Sequence, residues 1–135
     1  MSNPAFEVVT GGQQWSDRYT YSPAVRVGNL FFISGTTATD ENRNIVGVGD
    51  IAAQTRYIYE KFERLLNSVG ASCADIVQTV DYITTTENYR ATAAIRRELF
   101  PGARTTATGV IVAGLLREDA LVEISAIAVL PGAPA

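Results

Sequence analysis

The chain has 135 residues, 47% of them apolar and 19% charged, enough for one compact domain and too few for two ordinary ones. Eleven basic residues, ten of them arginine, stand against fourteen acidic ones for a net charge of −3, and no basic stripe marks a nucleic-acid surface. There is no histidine and one cysteine, which excludes Ser-His-Asp and Cys-His nucleophile systems, His-based metal motifs and an internal disulfide.

The first residues lack a basic stretch followed by an apolar segment, so a cytoplasmic location without a secretory signal is expected. Residues 1–20 read as an extension carrying a short strand from Phe6 to Val9, broken by Gly11-Gly12-Gln13-Gln14. A hairpin is expected next, with one arm around Val25-Arg26-Val27, a turn at Gly28-Asn29 and a buried arm Leu30-Phe31-Phe32-Ile33. The stretch 40–44 is a polar loop.

From Ile51 the apolar positions Ile51, Thr55, Ile58, Phe62, Leu65, Leu66 and Val69 form one stripe of 3.6-residue period, with Asp50 placed to cap the start and Gly70 to end the helix. A β-branched and aromatic strand follows from Ile76 to Thr84. Thr84 to Glu87 has capping-box spacing and predicts a second helix over 87–100, stopped by Pro101-Gly102. Strands are then expected over Arg104 to Val112 and Leu121 to Val129, joined as a hairpin around Gly114 to Ala120, with a disordered tail over 131–135.

This order predicts an α+β domain over 1–135, a single sheet with two helices packed on one face. In the last strand Val122, Ile124, Ala126 and Ala128 make an apolar face for the helices. The opposite face carries Leu121, Glu123, Ser125, Ile127 and Val129, too apolar to stand open to water, so another copy of the chain is expected to cover it. Glu123 would then lie in an interface, either catalysing or fixing subunit register through an ion pair or hydrogen bond. Arg104 falls some 20 Å from it along the ladder at about 3.3 Å per residue. A site using both would have to be assembled between subunits, unless a bulge near Gly109 alters the register.

Five ordered segments now carry a resemblance: Tyr21-Ser-Pro-Ala-Val-Arg-Val-Gly-Asn-Leu-Phe-Phe-Ile-Ser-Gly35, Ala52-Ala-Gln-Thr, Val69-Gly-Ala-Ser-Cys-Ala-Asp-Ile-Val, Ala103-Arg-Thr-Thr and Val122-Glu-Ile-Ser-Ala-Ile-Ala-Val129. Together they resemble the RidA (YjgF-type) family of reactive enamine/imine deaminases. The resemblance implies a chorismate-mutase-like fold, a homotrimer with ligand clefts between subunits, and cofactor-free, metal-free hydrolysis of 2-imino or 2-enamino acids to 2-oxo acids and ammonia. Neither a membrane nor a nucleic acid is an expected partner.

The resemblance also implies roles. Arg104 would take the substrate carboxylate through a bidentate pair, Glu123 would orient or deprotonate water, and the Tyr21 hydroxyl would donate near the ligand. Ser34 and Gly35 would form the cleft floor, and Thr106 would replace a frequent family cysteine while keeping the backbone contacts. Ala93 stands where archetypal members carry asparagine, and the stretch from Arg104 to Glu123 is about four residues longer than in those members. For Tyr89 and Trp15 core or lid packing is the first reading, with a place in the pocket wall, and for Tyr89 substrate contact, as the alternative.

Three readings follow from these features. They are a broad deaminase of reactive imines, a dedicated deaminase of an aminomuconate-type intermediate in aromatic degradation, and a non-catalytic trimer that binds small carboxylates. Ribonuclease activity ranks last, given the acidic balance.

Overall fold

The computed structural model describes residues 5–132, so residues 133–135 of the expected tail lie outside the described residues. Among the described residues six strands form one mixed sheet with two α-helices on one face: β1 (Glu7–Val9), β2 (Ala24–Val27), β3 (Leu30–Thr36), α1 (Ile51–Asn67), β4 (Ile76–Ile83), α2 (Thr92–Leu99), β5 (Thr106–Ile111) and β6 (Val122–Val129). The sheet order is β1-β2-β3-β6-β4-β5. Among the described residues no helix is long and apolar enough to cross a membrane.

The locally encoded elements form as their residues dictate. Val27 pairs with Leu30, leaving Gly28-Asn29 as a two-residue turn with Gly28 in the left-handed region at φ 60°. On α1 the Asp50 carboxylate accepts from the Ala53 N–H at 3.0 Å, and Ile51, Thr55, Ile58, Phe62, Leu65 and Leu66 are all buried. The helix ends in a Schellman motif. Gly70 adopts φ 79°, and the N–H groups of Ala71 and Gly70 reach back to the carbonyls of Leu66 and Asn67.

The second helix differs from expectation. A 3₁₀ turn at Tyr89–Ala91 precedes α2, Asn88 is left-handed at φ 60°, and no capping box forms at Thr84–Glu87. The Thr84 N–H still belongs to the sheet, donating to the Leu121 carbonyl at 3.1 Å, so the backbone there cannot turn into a helix. The Glu87 N–H takes the Thr85 hydroxyl instead, at 3.1 Å.

The expected β5–β6 hairpin is also absent. β5 lies parallel to β4, and β6 inserts antiparallel between β3 and β4. Ile83, at the end of β4, pairs with Ile111 on one side and Val122 on the other, so residues 112–121 hop over the end of a whole strand. That passage needs more chain than the two to five residues of a hairpin loop. Gln54, completely buried on α1, fastens it by donating to the carbonyls of Gly47 (3.1 Å) and Asp119 (3.0 Å) while its side-chain oxygen accepts from the Leu121 N–H (2.8 Å).

The two faces of β6 separate as the alternation requires. Val122, Ile124, Ala126 and Ala128 pack into the core beneath the helices. The other face of the sheet is uncovered: Val8, Val27, Leu30, Phe32, Val110 and Val129 are between 36% and 54% exposed.

Candidate active site

The site begins at an irregularity in β3. Ile33 pairs with Ala126 and Thr36 with Ile124, so Ser34 and Gly35 together oppose the single residue Ser125. This bulge turns the Gly35 backbone toward the uncovered face, where Glu123 projects from β6. A Cβ placed on Gly35 would lie 2.9 Å from Glu123 Oε2, closer than van der Waals contact permits, so the carboxylate rests directly on the glycine. Around it is an open groove of about 290 Å³, lined by Gly35, Tyr82, Val112, Gly114, Leu115, Leu116, Glu123 and Ser125. Tyr82 lies straight across the ladder from Glu123.

The bulge is held from both sides. The Ser34 hydroxyl donates to the Ser22 carbonyl at 2.5 Å and its N–H to the Pro23 carbonyl at 2.9 Å. Ser34 is thereby engaged with the backbone rather than lining the groove. The same bonds bring Tyr21 beside the bulge, where its half-exposed ring packs edge-on against Trp15, 5.5 Å between centroids, and against Tyr19. The Trp15 indole donates to the Tyr21 carbonyl at 2.7 Å. Trp15 therefore positions Tyr21 and does not line the groove. Just past the bulge, Lys61 on α1 donates to Thr36 Oγ1 (2.7 Å) and to the carbonyls of Thr37 (3.1 Å) and Thr39 (3.0 Å). Burial, with Arg64 and Arg117 near, pulls its ammonium down to about 8 against the opposing pull of Asp40.

Arg104 is elsewhere. It does not begin β5 but precedes it in helical conformation (φ −83°, ψ −11°), after left-handed Gly102 (φ 71°) and Ala103 (φ 50°). Positive φ at Ala103 strains the backbone locally, and such strain clusters at functional sites. Arg104 is exposed and has no ion pair among the described residues. Thr106 pairs with Gln78 while Glu123 pairs with Tyr82, so Arg104 stands about six residues down the ladder, roughly 20 Å away at ~3.3 Å per residue. The separation inferred from a hairpin thus recurs in a different topology. The Thr106 hydroxyl donates to the Val77 carbonyl at 2.7 Å, which ties β5 to β4.

Tyr89 corrects a sequence expectation. It lies on the helix-covered side, where its hydroxyl donates to buried Asp81 at 2.6 Å, and the Arg96 guanidinium sits 5.3 Å over its ring. Asp81 alternates with Tyr82 on β4, so Tyr89 and Glu123 are on opposite faces of the sheet. Burial raises the Asp81 carboxyl above its ordinary value, against the pull of the Tyr89 hydroxyl and Arg96. Its second oxygen has no hydrogen-bond partner. Because the folded pKa lies above the unfolded one, this group's contribution is full below the unfolded pKa of 3.8 and is lost as pH rises through the folded value. Asp81→Asn is expected to be stabilising at pH 8 and to bring no gain at pH 3.5. Thermal unfolding at the two pH values checks this.

Of the residues expected from sequence, Gly35 and Glu123 line the groove, Tyr21 and Ser34 adjoin it, and Arg104, Thr106 and Tyr89 lie away from it within one chain. The sequence reading gave no role to Tyr82 or Gln54, and it placed Leu115 and Leu116 only within a lengthened hairpin beside the cleft that was expected to change substrate choice. Gln54 was visible as a polar side chain on the apolar stripe of α1, a placement that requires partners. Tyr82 required the β4–β6 register.

A model of the Endoribonuclease L-PSP family matches residues 13–130. The curated 3-aminoacrylate deaminase RutC of Acinetobacter baylyi is 35% identical over 108 residues, 80% of this chain and 85% of that protein. Among solved structures, a YjgF/YER057c/UK114 family member from Mycobacterium tuberculosis is 33% identical with a TM-score of 0.76, covering 93% of this chain and 99% of its own. A putative endoribonuclease from Thermotoga maritima is 30% identical with a TM-score of 0.81, covering 93% and 98%. By sequence and by fold, this chain belongs to the RidA/YjgF family of enamine/imine deaminases.

Proposed function

We propose that the protein is a homotrimer that hydrolyses 2-imino and 2-enamino acids to 2-oxo acids and ammonia without metal or organic cofactor, in clefts shared by adjacent protomers. The observation that carries this reading is the Glu123 carboxylate resting on Gly35 at the open end of a groove. The uncovered apolar face supports the assembly, because burying it against other copies removes those side chains from water at roughly 25 cal/mol per Å². A neighbour's Arg104 is the free cation that assembly brings to the groove.

The chemistry asks little of the protein, since an imine carbon is already electrophilic. Arg104 holds the substrate carboxylate through paired charge-assisted hydrogen bonds. Glu123 takes a proton from water as its oxygen bonds to the imine carbon, and the C=N π pair moves to nitrogen, which is protonated. Glu123 then hands the proton it took to the carbinolamine nitrogen, making it an ammonium leaving group. The C–N bond breaks and ammonia departs as the hydroxyl proton passes to the freed Glu123 carboxylate, and from there to solvent, while the O–H pair closes the C=O bond of the 2-oxo acid. An enamine first takes a proton at its β-carbon. Tyr21 beside the bulge and Tyr82 across the ladder are the phenols able to donate to the developing amine or oxyanion.

The word endoribonuclease in the family description does not lead to the same reading here. The proposed cleft holds a single cation, the neighbour's Arg104, facing Glu123, whereas a polyanionic strand needs a run of cations that a chain of net charge −3 with no basic stripe does not offer. The test is release of pyruvate and ammonia from 2-aminoacrylate generated in situ. Glu123→Gln is expected to keep 2-oxo-acid binding and lower kcat by ~10²–10⁴-fold. Unchanged turnover would remove Glu123 from the mechanism.

A further inference from the structure

The wall of the groove opposite the sheet is built by the passage over β4. It contributes Val112, Gly114, Leu115 and Leu116. Leu116 is 99% exposed in the single chain, beside the proposed water-activating carboxylate. The far end of the passage is fixed, because Gln54 binds the Asp119 carbonyl and the Leu121 N–H.

We propose that Leu115 and Leu116 determine specificity: they receive the substrate's side chain and select imino acids with an apolar chain of leucine or methionine size over 2-aminoacrylate and over dicarboxylic imino acids. The inference rests on the deaminase reading and deepens it. Three observations carry it. The groove's ~290 Å³ is the share of about ten liquid waters, whereas 2-aminoacrylate has only six non-hydrogen atoms. The hydrocarbon of Val112, Leu115 and Leu116 gains by leaving water when an apolar chain covers it. Glu123, the one charge among the lining residues, repels a second carboxylate that no cation of the same groove would offset. An aminomuconate-type diacid is disfavoured on that ground.

The experiment uses the full-length protein with imino acids made in situ, by an L-amino-acid oxidase from leucine, methionine and glutamate and by a dehydratase from serine. Loss of imine is followed by semicarbazide trapping. The expected result is a kcat/KM for the leucine and methionine imines about tenfold above those for 2-aminoacrylate and the glutamate imine, within the ~10–200-fold range that hydrophobic pockets achieve. Leu116→Ser is expected to cut the leucine-to-aminoacrylate ratio about tenfold with the assembly unchanged by light scattering. Equal rates on all four substrates, or a ratio unmoved by Leu116→Ser, would overturn this inference and leave the deaminase reading standing. Loss on every substrate together with dissociation would make Leu116 a subunit contact and overturn the inference. No acceleration with any imine would remove the deaminase reading and the inference together.

Discussion

Gly35→Ala is expected to leave the fold and the assembly intact while lowering kcat by about 10²-fold. The added Cβ would sit 2.9 Å from Glu123 Oε2 and 3.5 Å from Cδ. It meets the far end of a flexible side chain, which can swing aside, so the cost in stability should stay within about 1 kcal/mol. The functional cost is different in kind. A carboxylate that activates water is useful only where the water and the electrophilic carbon meet, and a misplacement of ~1 Å costs on the order of 10²-fold. The unfolding temperature and kcat on any accepted imine separate the two effects. Activity within twofold of the parent would mean that the seat of Glu123 on the glycine has no catalytic consequence. A large drop in unfolding temperature would make the glycine a packing requirement of the bulge instead.

Arg104→Ala is expected to reduce kcat/KM by ~10²–10⁴-fold, chiefly through KM, since two hydrogen bonds to a charged carboxylate are worth about 1.5–3 kcal/mol each. Arg104→Lys should recover only part of this, because an ammonium cannot form the planar two-point contact. Arg104 has no ion pair among the described residues, so its loss orphans no internal partner and should leave thermal stability unchanged. A mixing experiment follows from the distance between the two groups. If Arg104 and Glu123 of adjacent protomers meet in each cleft, Arg104→Ala and Glu123→Gln subunits are each inactive alone. Co-refolded in equal amounts, they should regain about a quarter of the parental activity, the statistical share of clefts in a closed ring that pair an intact arginine with an intact glutamate. A mixture no more active than its components would place both groups in one chain's site or take one of them out of the chemistry.

These two substitutions also mark where sequence stops informing. Glu123 was singled out by alternation alone, as an acid on a strand face too apolar for water, and the structure puts it on that face. The Asp50 cap, the α1 stripe, the Gly70 stop and the Gly28-Asn29 turn were legible because each depends on residues within a few positions of one another, through local hydrogen bonds and the 3.6-residue or two-residue period. Capping-box spacing at Thr84 and Glu87 was equally visible and did not form, because the Thr84 N–H had a partner 37 positions further on, at Leu121.

By itself the sequence determined the number and kind of elements, the face of β6 that enters the core, and the acid and base available for chemistry. Only the tertiary structure decided which strands are neighbours. A period of two assigns side chains to faces and is silent on pairing, so the insertion of β6 between β3 and β4, and the resulting contact of Glu123 with Gly35, had no local signature. The same holds for the partnership of Tyr89 with Asp81 on the helix side. Each is a contact between residues brought together by crossovers, and the physical preference that selects it is the burial of the whole apolar face rather than any short run of residues.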